Sequence, residues 1–539
     1  MYSNPIKYRD FVATLKFTSI IALVGVLSCA RVMSPPGGPE DKSPPKFISS
    51  IPPDNSTGVD PNTNIEVEFD EYLAEISGGV LFLPVVDNTK IKFARKKIII
   101  EQGSPLSEDM TYRLTISNRI KDLRNNNLNR PIQIAFSTGD ELDTLSIRGA
   151  IFLRDLTPAE QVRINAYIIK GNEIPDSLPE NPYAATWSGD DGGYFIGNLP
   201  KGNFYLVAIE DNNHDGRYSA GERVALAPSA IESGRKAPWS LVLFQPDTIS
   251  PDLLMTTAEN PYLLRLKFTE PVVTAPRARF SSLPPVGTTE IFIFEDNPNN
   301  LGIYSRDGFP SGPISFDITE VFDSSGNSAN LQDLDFDFPE FPEDTLPPVP
   351  IYRKSRLGNR EPLVVDFDKP IKGGQIKVED STGARVPGET VVIIPKSLAF
   401  IPEPSWPNRE DLFYYIDNVQ SMEEIGFSDT TGRQIDLIDR VEFGTLLVQS
   451  NLPCENPMIE IRQAVNNGKS YYMQKTEEGY ITDQLERGDY LVWYFCDNDS
   501  DGGWYPGDIQ PLKPSEKSFV YPDTLSVKGL WTTEVDLNR

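Results

Sequence analysis

The sequence predicts an all-β chain of serial sandwich domains that follow a signal peptide. Three observations carry that reading. Short apolar runs alternate with polar residues at a spacing of two. Proline, glycine, asparagine and aspartate punctuate these runs, as turns between strands require. Helical spacing is scarce, and with 47 prolines in 539 residues long helices have little room. One domain per roughly 100–150 residues gives four or five.

Residues 1–28 read as a signal peptide. Lys7, Arg9 and Lys16 precede the apolar run 17–29, which is too short to span a bilayer comfortably. Val26-Leu27-Ser28-Cys29 resembles the lipobox of bacterial lipoproteins. That resemblance implies cleavage before Cys29 and acylation of its thiol and new amine with palmitate-like chains. Several acyl chains on one residue hold a membrane far better than one. Cleavage removes three bases and one acid, so the net charge of −28 becomes −30. A chain this acidic repels nucleic acid and anionic headgroups. It suits an extracytoplasmic, calcium-containing environment or a basic partner. The run Ala30-Arg31-Val32-Met33-Ser34 has no aspartate after the cysteine, which resembles an outer-membrane address. The nearest acids are Glu40 and Asp41, so the periplasmic face and the cell surface both stay open.

Residues 29–46 read as a Pro/Gly-rich tether, extended and solvated. The first domain is expected over 47–140. Ile65, Val67 and Phe69 alternate with acids, and Tyr112, Leu114 and Ile116 alternate again before Ile132, Ile134 and Phe136. The order Pro52-Pro53-Asp54-Asn55-Ser56-Thr57-Gly58-Val59, then Ile65–Phe69, Tyr112–Ile116, Lys121-Asp122-Leu123 and Ala135-Phe136-Ser137-Thr138-Gly139 resembles the bacterial Ig-like domain of SbsA-type S-layer proteins. With Gly37-Gly38-Pro39-Glu40-Asp41-Lys42 after the lipobox, the opening is similar to Ig-like lipoproteins of Bacteroidota.

Two weaker copies are expected over 248–345 and 346–443. Leu264, Leu266 and Phe268 head one, with a late turn at 323–327; Leu363, Val365 and Phe367 head the other, with a late turn at 427–432. The segment 335–350 reads as an inter-domain connection.

The remaining domains, 144–245 and 444–539, carry an internal repeat. Gly193-Tyr194 through Leu206 recurs as Gly479-Tyr480 through Val492, and the offset of 286 runs without a gap to Glu222 and Asp508. The order Gly-Tyr, Leu, Lys/Arg-Gly, Tyr-Leu resembles the transthyretin-like, carboxypeptidase-regulatory sandwich. Gly202 and Gly488 are expected to allow the turn between two paired strands.

An acidic loop follows each repeated strand. Asp211, Asn213, Asp215, Arg217 through its carbonyl, and Glu222 have the spacing of calcium ligands, with Gly216 at the bend. Asp497, Asp499, Asp501, Gly503 and Asp508 repeat it around Gly502. The flanks are strands, so these are EF-hand-like loops in a β setting. Calcium is the expected cofactor, because oxygen ligands favour a hard cation. Glu222 reaches further than Asp508, which predicts the tighter site in the first loop. The alternative is a pair of acidic turns capping their own backbone.

No catalytic residue is expected. His214 is the only histidine, and it sits at the outward fourth loop position. Without a second histidine no Ser-His-Asp arrangement is available unless it leaves that loop. Cys454 and Cys496 form an even pair in an oxidising compartment and are expected to bond, the alternative being two separate thiols. Trp187, Trp406, Trp493, Trp504, Tyr505 and Trp531 are candidates for stacking on sugars, with Trp493 read as core and Trp504-Tyr505 as loop residues that can be exposed, local packing of the loop being the default. The leading function is a non-enzymatic, outer-membrane-anchored scaffold stiffened by calcium. Its rivals are an accessory subunit of an outer-membrane assembly or export complex, with a barrel partner, and a carbohydrate-binding lipoprotein.

Overall fold

The computed structural model describes residues 41–537, apart from 248, 274–276, 281–288, 295, 324, 353–355, 408–410, 451–453, 466–467 and 501. The signal segment, Cys29 and most of the tether lie outside the described residues. Among those described, the only helix is a 3-10 turn at Arg440–Glu442, and no helix is long and apolar enough to cross a membrane. The rest is strand and turn, arranged as serial sandwiches.

The first sandwich has seven strands: β1 (Phe47–Ile51), β2 (Ile65–Phe69), β3 (Val80–Leu83), β4 (Lys90–Ala94), β5 (Lys97–Glu101), β6 (Thr111–Ile116) and β7 (Ile132–Ser137). One sheet runs β1-β2-β5-β4 and the other β3-β6-β7, the strand order of a seven-stranded Ig sandwich. Alternation buries Ile65, Val67 and Phe69 against Tyr112, Leu114 and Phe136 of the facing sheet. In β6, however, every residue is buried. Its polar face does not meet water. It meets the next domain, where Arg113 Nε donates to the Asn198 carbonyl at 2.8 Å and Thr115 Oγ1 to the Ala185 carbonyl at 3.2 Å.

The second sandwich comprises β8 (Leu145–Phe152), β9 (Arg163–Ile169), β10 (Ala184–Trp187), β11 (Gly193–Leu199), β12 (Asn203–Ile209), β13 (Val224–Leu226), β14 (Ile231–Glu232) and β15 (Leu241–Val242). One sheet runs β10-β9-β12-β13 with β14 also on β12; the other runs β11-β8-β15, with β15 parallel to β8. The last sandwich repeats this plan. Ser470–Tyr472, Pro457–Gln463, Gly488–Cys496 and Ser518–Val520 form one sheet, with Leu525–Val527 also on Gly488–Cys496. In its other sheet, Thr532–Asp536 lies parallel to Phe443–Gln449. Gly488 turns with φ 155°. Gly202 does not: its backbone is ordinary and a Cβ there would meet nothing closer than 3.6 Å.

The third and fourth sandwiches follow the order of the first, and the fourth adds Arg356–Leu357 parallel to Gly426–Leu437. Two expectations need correction. Residues 427–432 are no turn but part of the strand Gly426–Leu437, paired with Leu412–Ser421; two register shifts let this polar run stay in the ladder. The stretch 335–338 is likewise strand, because Phe336 pairs with Ile314 and Phe338 enters the core. The connection begins beyond Phe341, which still packs there.

The two duplicated domains touch. Phe152, Leu156 and Val242 of the second form one apolar cluster with Trp493, Phe495, Trp504 and Val520 of the last. Ser515 Oγ donates to the Leu226 carbonyl at 2.7 Å, and Val520 N to Ser240 Oγ at 3.1 Å. Arg154 lies over the Trp493 ring, 4.2 Å from its centroid. The last domain therefore folds back on the second and closes the chain into a ring of four domains. A disulfide joins Cys454 to Cys496 at a sequence separation of 42, tying the segment before Pro457–Gln463 to the end of its partner strand.

Candidate metal centre

Both acidic loops leave the sheet at the end of its central strand, and both bend in the same places. The fourth loop residue is left-handed in each, His214 at φ 64° and Ser500 at 61°. So is the sixth, Gly216 at 80° and Gly502 at 86°. The first aspartate closes the bend: Asp211 Oδ2 accepts the Gly216 N–H at 3.0 Å, and Asp497 Oδ2 accepts that of Gly502 at 3.0 Å.

In the first loop Glu222 completes the ring. Its Oε1 accepts the Asn212 N–H at 2.9 Å and its Oε2 that of Ser219 at 2.9 Å. The matching amides in the second loop are those of Asn498 and Tyr505. Both donate to Glu516, Tyr505 at 3.0 Å. Glu516, not Asp508, is thus the counterpart of Glu222. A hairpin of Asp508–Ile509 and Leu512–Lys513 is inserted between the loop and its closing glutamate. The Asp508 carboxylate is spent within that insertion, on the Tyr505 hydroxyl at 2.6 Å and the Lys513 ammonium at 2.8 Å.

Asp497, Asp499 and Glu516 can each offer a carboxylate oxygen, all within 4.8 Å of one another. Asp497 and Glu516 are buried, at 2% and 6% exposure. Burial holds the Glu516 carboxyl above its ordinary range; the amides of Tyr505 and Asn498 pull it down, and Asp499 and Asp497 push it further up. Gly503 lies half-buried on the same loop, and Asp501 lies outside the described residues.

The first loop is built differently. Asp211, Asp215 and Glu222 do not converge in this way. Asn213 Oδ1 accepts the Asp215 N–H at 3.0 Å, Asp215 Oδ1 accepts that of Arg217 at 2.8 Å, and the Arg217 guanidinium turns away to Glu180 at 2.6 Å. A cation is already there. The Arg163 guanidinium lies 3.5 Å from Asp211 Oδ2, both side chains being more than nine-tenths buried. It also crowds Gly216, where a Cβ would sit 2.3 Å from Arg163 Nη1. Arg119 reaches over from the first domain to the His214 ring, whose Nδ1 lies 2.7 Å from the Asp211 carbonyl. In the last domain the place of Arg163 is taken by Met458, since Arg163 pairs with Ile209 and Met458 with Phe495.

A third acidic group escaped the sequence reading. Asp247, Glu270 and Asp323 converge at the mouth of the third domain. Asp323 accepts the amides of Ser325 and Asn327 at 2.8 and 2.9 Å, and Asn327 Nδ2 donates on to the Asp247 carbonyl at 3.0 Å. Asp122, Asn126 and Asp41 repeat this arrangement in the first domain. Both sets pin the incoming chain to a late turn, and an aspartate four residues before an asparagine is the signal that finds them.

Of the aromatic candidates, Trp187, Trp406 and Trp493 are buried, and Trp531 is exposed. Trp504 is buried as well, edge-on to Trp493 with ring centroids 5.3 Å apart. It packs in its own loop against Trp493, and the fold-back of the last domain adds Phe152 and Val242 to its cover.

The profile of a bacterial Ig-like domain family matches residues 41–138. The chain is therefore a serial β-sandwich protein that opens with an Ig-like domain. A search of curated proteins finds no match at a significant level. Among solved structures it is similar to a variant of BcpA, the major pilin subunit of Bacillus cereus, at 9% identity over 73% of this chain and 98% of that one, TM-score 0.13. It is also similar to the Bacillus anthracis TIE protein, at 12% identity over 96% and 78%, TM-score 0.14. The S-layer protein SbsC is similar at 10% identity over 88% and 66%, TM-score 0.13. Scores at that level say nothing about function.

Proposed function

We propose that the chain is a non-enzymatic scaffold of the bacterial envelope, anchored by lipid on Cys29 and braced by calcium in its last domain. The observation that carries the brace is the convergence of Asp497, Asp499 and Glu516. Three carboxylates at such spacing repel, and a hard cation relieves that repulsion. The chemistry of the set suits calcium: its donors are carboxylate oxygens only. Bound there, the ion stiffens more than its own loop. Trp504 Nε1 donates to the Glu516 carbonyl at 3.0 Å, and Trp504 belongs to the contact with the second domain. Calcium at Glu516 thus tightens the closure of the ring. In the first loop Arg163 does the work of the ion.

The scaffold reading draws on the Ig-like opening and on the state of the one histidine. His214 is clamped between Arg119 and its own loop and has no acid–base partner of the hydrolytic kind. The anchor draws on the resemblance of 26–29 to a lipobox, and the SbsA-type and Bacteroidota resemblances favour the outer membrane. The test is Cys29→Ser in the native host. The chain is expected to move to the soluble fraction or accumulate uncut. Unchanged membrane fractionation in carbonate would overturn the anchor.

A further inference from the structure

The hairpin of Asp508–Ile509 and Leu512–Lys513 pairs with no strand but its own. A two-stranded hairpin alone is marginal in water. This one buries its apolar side chains in another domain. Leu512 is a buried member of the second domain's core, the one such member from outside that domain among the described residues, and Ile509 packs against the same core. The Leu512 N–H points to the Asp176 carbonyl at 3.4 Å. Gly507, at the base of the hairpin, is left-handed at φ 87°, and a Cβ there would lie 3.0 Å from Leu226 Cδ1. In the first loop the amide and its closing glutamate, Ser219 and Glu222, are three residues apart; in the last domain Tyr505 and Glu516 are eleven apart. The added length is what reaches the second domain.

Glu516 closes this excursion, and the second domain holds the chain on both sides of it. Ahead of it, Ser515 Oγ donates to the Leu226 carbonyl at 2.7 Å. Behind it, the Ser518 carbonyl accepts the Ser240 N–H at 2.8 Å, and Ser518 Oγ donates to the Ser240 carbonyl at 3.3 Å. Ser518 also pairs with Phe495 in its own sheet, whereas the stretch from the hairpin to Ser515 has no such ladder. Asp497 is fixed at home. It follows Cys496, which is bonded to Cys454, and its N–H and Oδ2 both meet Asn456, at 3.0 and 3.2 Å. The three carboxylates thus have a side anchored in the last domain and a side steadied by the second.

We propose that the 508–513 hairpin is a latch whose docking on the second domain completes the calcium site, so that ring closure and calcium binding are one coupled equilibrium. This rests on the calcium assignment of Asp497, Asp499 and Glu516 and adds what regulates it. With the latch undocked, the excursion from Tyr505 to Glu516 is unpinned, and an arriving ion has to order it against chain entropy. With the latch docked, that ordering is already done and the ion binds more tightly. Linkage makes the effect reciprocal: calcium strengthens the hold of the latch on the second domain by the same factor. The ring is closed where calcium is abundant and loosened where it is scarce.

The test uses the full chain, calorimetric titration with calcium, and amide hydrogen exchange with calcium or with chelator. Leu512→Asp puts a charge into the second domain's core and releases the latch, yet Leu512 is none of the three carboxylates. It should weaken calcium binding about tenfold or more. In the wild type, calcium should slow exchange at the Ser240 N–H, which lies on the second domain and donates to Ser518. In Leu512→Asp that amide should exchange faster even in chelator. Equal calcium affinity in the wild type and Leu512→Asp would overturn the latch and leave the calcium assignment standing. No binding by the wild type would overturn the assignment and the coupling with it. If Leu512→Asp does not fold, the wild type decides: bound calcium that leaves exchange at Ser240 unchanged overturns the coupling.

Discussion

Glu516 and Glu222 hold corresponding backbone amides, yet the sequence places them eight residues out of register. Asn212 and Ser219 donate to Glu222; Asn498 and Tyr505, at the constant offset of 286, donate to Glu516. Duplication preserved the closing glutamate, and the Asp508–Lys513 hairpin was accommodated in front of it. The two loops then part in their charge. One keeps Arg163 against its first aspartate, and the other has Met458 at that place.

That difference makes Arg163→Met the most informative exchange in the second domain. It removes one partner of a buried pair and leaves the Asp211 carboxylate behind. Loss of such a partner costs about 3–5 kcal/mol. Calcium should restore a large part of it, because the variant loop then lacks its own cation. Thermal melts with and without calcium check this. A variant as stable as the wild type, or one that calcium leaves untouched, would count against Arg163 as a stand-in for the ion.

Proton and calcium should compete at Glu516. Its carboxyl is held above the ordinary range, so in the calcium-free chain its contribution favours folding at low pH and is lost as pH rises through its folded pKa. Calcium needs the ionised form. The calcium-induced rise in melting temperature should therefore be larger at pH 7 than at pH 5. Equal rises at both would contradict the assignment.

The ring closure is expected to depend on Trp504. It is buried between Trp493 and the Glu516 backbone, and Arg154 lies over the same pair of rings. Trp504→Ala should cost about 3–5 kcal/mol and free the last domain from the second. Denaturant titration reads the first effect, and a larger radius of gyration in solution scattering reads the second. An unchanged radius would show that the contact is not what holds the ring.

Much of this fold was legible. The alternation at Ile65, Val67 and Phe69 named the buried face of its strand, and the repeated Gly-Tyr strands named the paired domains. What stayed hidden lies between segments far apart in sequence. Arg113 and Thr115 read as a wet face because nothing local announces Asn198 and Ala185 as their partners. Trp504 read as a loop aromatic because its cover comes from Trp493 and Phe152. The candidate site was half legible. The first aspartates and the bend glycines followed from spacing, but a gapless register led to Asp508 and passed over Glu516. An insertion resets the register without leaving a mark in composition, and only the hydrogen bonds of the loop recover it.

The central claim is that calcium sits on Asp497, Asp499 and Glu516. Calorimetric titration of calcium into the chelator-treated full chain tests it, with Glu516→Gln and Asp508→Asn beside the wild type. The wild type and Asp508→Asn should bind one calcium ion with closely similar heat, and Glu516→Gln should bind none. At free calcium a hundredfold above the dissociation constant, the wild-type site should add about 2.7 kcal/mol to stability. No heat in the wild type, or binding that survives Glu516→Gln and vanishes in Asp508→Asn, would contradict it.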